Sequence, residues 1–285
     1  MNHATTRAAT QAEQLRALVY GAAVGDALGV PFEFLTRDSF ACSDMVGGGI
    51  HGMPKGTFSD DTSMLIALCD SIRENEGRLV EDDMRTKFRA WLYEGAYTPD
   101  GTVFDVGNAT ATALDQEFGC TSERSNGNGS LMRIAPLALT DATDDEIRMA
   151  SAITHAHPIS TESCVYFFHI LRDVLQGMPL EDAVANNVPA LDVFVNLPAI
   201  MIESRDSVAS SGYVIHTLGA ALWCAYHTAS YKDCVLAAVN LGSDTDTTAC
   251  VAGALAGALY GYEAIPVAWL DELRGKDVIE SCLFA

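Results

Sequence analysis

Two stretches far apart in the chain crowd carboxylates and hydroxyls at helix starts: Phe58-Ser59-Asp60-Asp61-Thr62, and Gly242-Ser243-Asp244-Thr245-Asp246-Thr247-Thr248. A helix start leaves its first N–H groups unpaired and carries the positive end of the dipole, so Ser, Thr or Asp there is ordinary N-capping. One such residue caps a helix, whereas each of these starts carries two acids and at least two hydroxyls. Carboxylates packed together repel, at a cost on the order of a kcal/mol or more unless a cation neutralises them. Oxygen donors without His or Cys suit Mg²⁺ or Mn²⁺. Converging helix starts would form an oxygen-lined cage for two ions. From the residues alone, capping and metal binding both stay open.

Between and around these motifs the apolar residues recur at helical spacing. Leu15, Leu18, Val19 and Ala22 predict a helix over about 10–28, and Met64, Leu65, Leu68 and Ile72 one opening at 59–61. Phe88, Trp91 and Leu92 mark a third, ending near Gly95; the glycine-rich run 46–52 is loop. Further helical patterns cover roughly 131–140, 144–156, 160–176, 180–187, 213–228 and 231–240, then a long one from about 247 and a short one over 267–274. The best strand candidate, 191–195, stands alone. The expected fold is all-α: a compact orthogonal helical bundle in a single domain, 1–285, with a flexible start of about ten residues.

Composition narrows the partners. With 17 Lys+Arg against 38 Asp+Glu the formal charge is −21, which offers no basic footprint for nucleic acid. It also makes an anionic ligand awkward unless cations or a local Arg reverse the field. Eight cysteines without a CxxC pair read as reduced thiols in a cytoplasm. The start of the chain has no apolar signal-like core. The most apolar stretch, 249–260, is too short to span a bilayer, so no membrane partner is expected.

Three other metal-site readings fit poorly. Asp244-Thr245-Asp246-Thr247-Thr248 matches the DxDxT of haloacid-dehalogenase phosphatases, but the rest of that catalytic set is not found in the short remainder of the chain. An EF-hand loop needs Gly where Ala249 stands. The helical prenyl-transfer motif DDxxD would need an acid where Met64 and Leu65 lie.

Seven segments in order resemble one family, the ADP-ribosylglycohydrolases. They are Gly21-Ala22-Ala23-Val24-Gly25-Asp26-Ala27-Leu28-Gly29 with Glu33; Ser59-Asp60-Asp61-Thr62; Asp105-Val106-Gly107-Asn108; Gly127-Asn128-Gly129-Ser130 running on to Met132, Arg133 and Pro136; Thr154-His155-Ala156-His157; Ser211-Gly212-Tyr213-Val214; and 239–247. The resemblance implies an all-helical fold with two Mg²⁺ or Mn²⁺ held by Ser59, Asp60, Asp61, Asp244, Asp246 and Thr247. It implies Glu33 and Asp105 as the catalytic carboxylates. Asn128, Gly129, Ser130 and Met132 would embrace the substrate's diphosphate and distal ribose, and His155 and Tyr213 would line the cleft.

The implied activity is hydrolysis of the bond between ADP-ribose and a modified protein side chain, arginine first, with serine-linked, ester or free ADP-ribose derivatives as alternatives. Protection against an ADP-ribosylating toxin, or a non-catalytic ADP-ribose-binding or immunity role, are the further readings. Other residues read as structural: Asp26 as a turn cap, Arg133 as an ion-pair partner, and Gly253 and Gly257 as a close helix contact. His155 and His157 lack a third ligand for zinc.

Overall fold

The computed structural model describes residues 9–285. The mobile start suggested by the sequence falls mainly on residues 1–8, outside the described residues. Thr10, by contrast, is the N-cap of the first helix and forms a reciprocal capping box with Glu13.

The helices in chain order are α1 (Gln11–Gly29), α2 (Asp60–Glu74), α3 (Glu81–Glu94), α4 (Asn108–Gln116), α5 (Asp144–Ala152), α6 (Pro158–Leu175), α7 (Leu180–Asn186), α8 (Val214–His227), α9 (Tyr231–Val239), α10 (Thr245–Tyr260), α11 (Val267–Glu272) and α12 (Lys276–Cys282). Among the described residues the extended pairings are isolated bridges only, such as Gly127 with Tyr213. The all-α expectation therefore holds. Three local expectations do not. The strand candidate at 191–195 is a 3-10 turn, Asp192–Phe194; 131–140 is largely turn and 3-10 helix, Ala135–Leu139; and α4 and α12 went unread. Pro136 accounts for the second, since it cannot donate into an α-helical ladder.

The centre of the molecule is the α1–α10 pair. Both helices are apolar nearly all round, as fully buried helices are. They touch backbone to backbone through glycine. A Cβ on Gly21 would stand 2.4 Å from the Gly253 carbonyl oxygen, one on Gly25 2.0 Å from that of Ala249, and one on Gly257 2.0 Å from that of Ala17. The close-contact role expected for Gly253 and Gly257 is thus observed. The seam runs to the end of α1, where a Cβ on Gly29 would meet the Asp246 backbone at 2.3 Å. It therefore lays the C-terminal end of α1 against the acidic start of α10.

Around this pair, α8 and α9 pack on α10, while α2, α3 and α12 form a layer beside α1. Gln11–Phe32 is a longer apolar helical stretch than 249–260. It has the length and hydropathy of a membrane span, but 83 % of its apolar window is buried in the fold, as befits a core helix. All eight cysteines are free thiols.

Candidate functional site

Helix α2 begins where the sequence suggests, and its cap is twofold. The Ser59 hydroxyl accepts from the Asp61 N–H at 3.3 Å, while the carboxylate of Asp26, from α1, accepts from the N–H groups of Ser59 and Thr62 at 3.0–3.1 Å and from the Thr62 hydroxyl at 2.6 Å. Asp26 is therefore a cap, though of a remote helix rather than its own turn. The capping reading of Ser59 is also correct, but capping uses neither Asp60 nor all of Asp61.

The second acidic motif arrives through Gly242 and Ser243, both with left-handed backbones at φ 74° and 65°. The Thr245 hydroxyl donates to the Gly29 carbonyl at 2.8 Å, fixing the start of α10 on the end of α1. The Thr247 hydroxyl then reaches Asp61 Oδ2 at 3.4 Å, and Asp26, Asp61 and Asp246 each place an oxygen within 4.8 Å of the others. The two acidic helix starts converge.

A second cluster adjoins the first. Glu33, His51 and Asp105 each present one ligand-type atom within 4.8 Å of the others, and Glu33 contacts His51 directly. Asp105 holds a left-handed φ of 54°, a strained setting for a non-glycine residue of the kind that gathers at functional sites. Glu33, Asp60, Asp105 and Asp244 line one cavity of about 310 Å³, together with Arg124, Met132 and His155.

The electrostatics are those of a cation site. No Lys or Arg among the described residues forms an ion pair with Asp26, Glu33, Asp60, Asp61, Asp105, Asp244 or Asp246; His51 alone pairs, with Glu33. Burial, then the neighbouring carboxylates, push Asp60, Asp61 and Asp246 well above the usual carboxylate range. Glu33 is pushed up to about 9 by burial and by the charges of Asp105, Asp244 and Asp26. Buried oxygens Asp61 Oδ1, Asp244 Oδ1, Asp246 Oδ2 and Thr248 Oγ1 have no hydrogen-bond partner. Leaving such atoms unpaired costs about 1–3 kcal/mol each, more for charged groups. Orphaned all-oxygen donors in a surplus of negative charge fit hard divalent cations.

The other expected residues divide. Asn128 lies at the cavity, but its amide donates to Asp244 Oδ2 and to the Thr217 hydroxyl, both at 2.8 Å, so the side chain holds an acid in place. Gly129 and Met132 line the cavity. Gly129 is glycine because a Cβ would stand 2.9 Å from His155 Cε1. His155 lines the wall as a neutral ring, its pKa pushed down to about 3 by burial and by Arg133. His157 caps α6 instead, so the two histidines form no metal pair. Ser130 is fully buried and faces Ser151 and Cys164 rather than the cavity, and Tyr213 packs edge-on to His216 behind Gly212. Arg133 is structural: it donates to the carbonyls of Gly129 and Ala150 and lies over the Phe88 ring.

Three residues escaped the sequence reading. His51 is a single histidine in a glycine-rich loop, and Thr248 one hydroxyl among several. Arg124 had the clearest signal, a cation beside a Gly/Asn run in an acidic chain; it is exposed, lines the cavity and has no ion-pair partner among the described residues.

Comparison with known proteins agrees with this geometry. The chain is 38 % identical to an ADP-ribosylarginine hydrolase of Serratia proteamaculans, over 94 % of this chain and 77 % of the relative. It is 31 % identical to the ADP-ribosyl-[dinitrogen reductase] glycohydrolase of Rhodospirillum rubrum, over 90 % of this chain and 88 % of that one. A solved structure described as an ADP-ribosylglycohydrolase-related protein complex superimposes with a TM-score of 0.80 at 30 % identity, covering 95 % of this chain and 96 % of that one. The family model for ADP-ribosylglycohydrolases matches residues 7–285, and the chain belongs to that family.

Proposed function

We propose that this enzyme hydrolyses the N-glycosidic bond between ADP-ribose and an arginine side chain of a modified protein, releasing ADP-ribose and unmodified arginine. The relatives named for arginine-linked ADP-ribose support the linkage. The observation that carries the chemistry is the set of orphaned oxygens on Asp61, Asp244 and Asp246, which calls for cations between two acidic helix starts. Asp60, Asp61, Asp244 and Asp246, with Ser59 and Thr247 behind them, would hold two Mg²⁺ or Mn²⁺. Asp26 and Thr248 join that set on grounds of position. Such ions lower the pKa of water and orient sugar hydroxyls.

The chain's own residues supply the rest. Glu33, whose pKa burial raises, serves as the proton donor to the departing nitrogen. Asp105, whose pKa burial raises and His51 only partly offsets, accepts the proton of the attacking water. Water's oxygen bonds to the anomeric carbon as the carbon–nitrogen bond breaks. The surrounding carboxylates favour the positive charge that develops on the sugar. Arg124, on the cavity lining, is the counter-charge for the diphosphate, and Asn128 keeps Asp244 aimed.

Residues from Glu33 to Asp244 line one cavity, so we take the chain as one domain. Free thiols throughout suit a reducing compartment such as the cytoplasm. Incubation with arginine-, serine- and carboxylate-linked ADP-ribose, with released ADP-ribose quantified, tests the assignment. Release from the arginine-linked substrate is expected; release from another linkage alone would overturn the arginine reading.

A further inference from the structure

Phe34 is out of place by the rules that govern the rest of the core. It follows Glu33 directly and lines the same cavity, yet 62 % of its surface is exposed. Its neighbour Phe32 behaves as an apolar residue should, stacking on Phe40 at 4.8 Å and packing against the core. Phe34 also holds a left-handed φ of 63°, a region that bulky side chains avoid. Two backbone bonds keep it there: its N–H donates to the Ser243 carbonyl at 2.7 Å, and the Ser243 N–H donates to the Leu35 carbonyl at 2.8 Å. Because Ser243 precedes Asp244, the ring is tethered to the carboxylate floor. Its ring centroid lies 6.4 Å from that of His51, tilted by 55°, and His51 contacts Glu33. A strained backbone thus keeps an aromatic face open to water at the edge of an anionic cavity.

We propose that Phe34 is the platform on which the guanidinium of the target arginine stacks, making it the residue that selects an arginine leaving group. This rests on the hydrolase reading above. A guanidinium is planar, delocalised and weakly hydrated, and it lies readily over an aromatic face, whose quadrupole attracts the cation. The ionised carboxylate of Asp105 adds attraction of the same sign. A serine hydroxyl has neither the plane nor the charge, and a carboxyl group has the plane without the positive charge. Adenine is also planar, but it sits at the far end of the diphosphate from the bond that breaks, whereas Phe34 adjoins the carboxyl pair at that bond.

The test compares the wild-type enzyme, loaded with Mg²⁺, with Phe34→Ala, Phe34→Leu and Phe34→Tyr, each shown by CD to be folded. Three quantities are read: kcat/KM on an arginine-linked substrate, the inhibition constant of ADP-ribose, and that of agmatine as the guanidinium probe. The Ala and Leu variants should lose roughly 3- to 30-fold in kcat/KM and in agmatine inhibition, with ADP-ribose inhibition unchanged and Tyr close to wild type. Leu equal to wild type would show that bulk suffices, and a parallel loss of ADP-ribose inhibition would place Phe34 on adenine; either overturns the proposal. A wild-type enzyme inert toward arginine-linked ADP-ribose overturns the hydrolase reading itself, an outcome distinct from both.

Discussion

The hydroxyl of Thr247 lies 3.4 Å from Asp61 Oδ2, joining two acidic helix starts that are 186 residues apart in the chain. Neither start is a site alone, for each offers a cap and a surplus of charge. Brought together, they leave carboxylate oxygens that no protein donor satisfies. The contact exists because glycines let α1 and α10 meet at backbone distance down to Gly29 and Asp246.

Loss of a cluster acid should separate activity from stability. Asp61→Ala and Asp244→Ala are expected to abolish ADP-ribose release with the helical CD signal kept. In metal-free protein, Asp246→Asn should raise Tm at pH 8, since it removes one charge from an uncompensated buried group. Full activity in both alanine variants would refute the cation-site reading, and a lower Tm for the asparagine variant would contradict the electrostatic one.

Metal should stabilise more as pH rises. Burial, with neighbouring acids adding to it for Glu33, lifts the folded pKa of Asp26 to about 6 and of Glu33 to about 9. An acid raised on folding binds more protons folded than unfolded. Its contribution is complete below about pH 4 and is lost as pH climbs through the folded value. Protein in EDTA should therefore lose Tm between pH 5 and 9 from these groups, and added Mg²⁺ should offset the loss. Melting curves with and without Mg²⁺ at pH 5.5 and pH 8 check this: the gap should be wider at pH 8, and equal gaps would contradict it.

The glycine seam should not tolerate a methyl group. Gly25→Ala and Gly253→Ala place a Cβ 2.0 Å and 2.1 Å from carbonyl oxygens of the facing helix. A loss of about 1–3 kcal/mol or more is expected from denaturant unfolding, as for other overpacked cores. Activity should fall with it, because separating the helices withdraws Asp246 from Asp61. Unchanged stability would mean that the two backbones are not in contact.

Arg124 and Asn128 should fail differently. Arg124→Ala removes the one Lys or Arg among the described residues that lines the cavity and should raise KM roughly 10- to 100-fold with a smaller change in kcat, as loss of a charged hydrogen bond does. Asn128→Ala frees Asp244 and should weaken metal affinity about 10- to 100-fold, as removal of a supporting partner does. Steady-state kinetics and metal titration distinguish the two, and an Arg124 variant with unaltered KM would remove the diphosphate role.

The local grammar of this chain was open to reading from its residues. Ser59 as a cap, Gly95 ending α3 in a left-handed turn, and the starts of α1, α2 and α10 follow from rules acting within about one helical turn. The acidic motifs also announced an excess of charge. What neighbours what is not local. Only the folded chain shows that Asp26 caps α2, that Asn128 spends its amide on Asp244, that Ser130 turns away from the cavity, and that His51 meets Glu33. These outcomes depend on the placement of distant segments, which is set by close packing along a glycine seam rather than by any residue's own preference. The sequence by itself determined most of the helices and the stock of ligands; the tertiary structure decided which oxygens would be left without partners, because that depends on where every other donor came to rest.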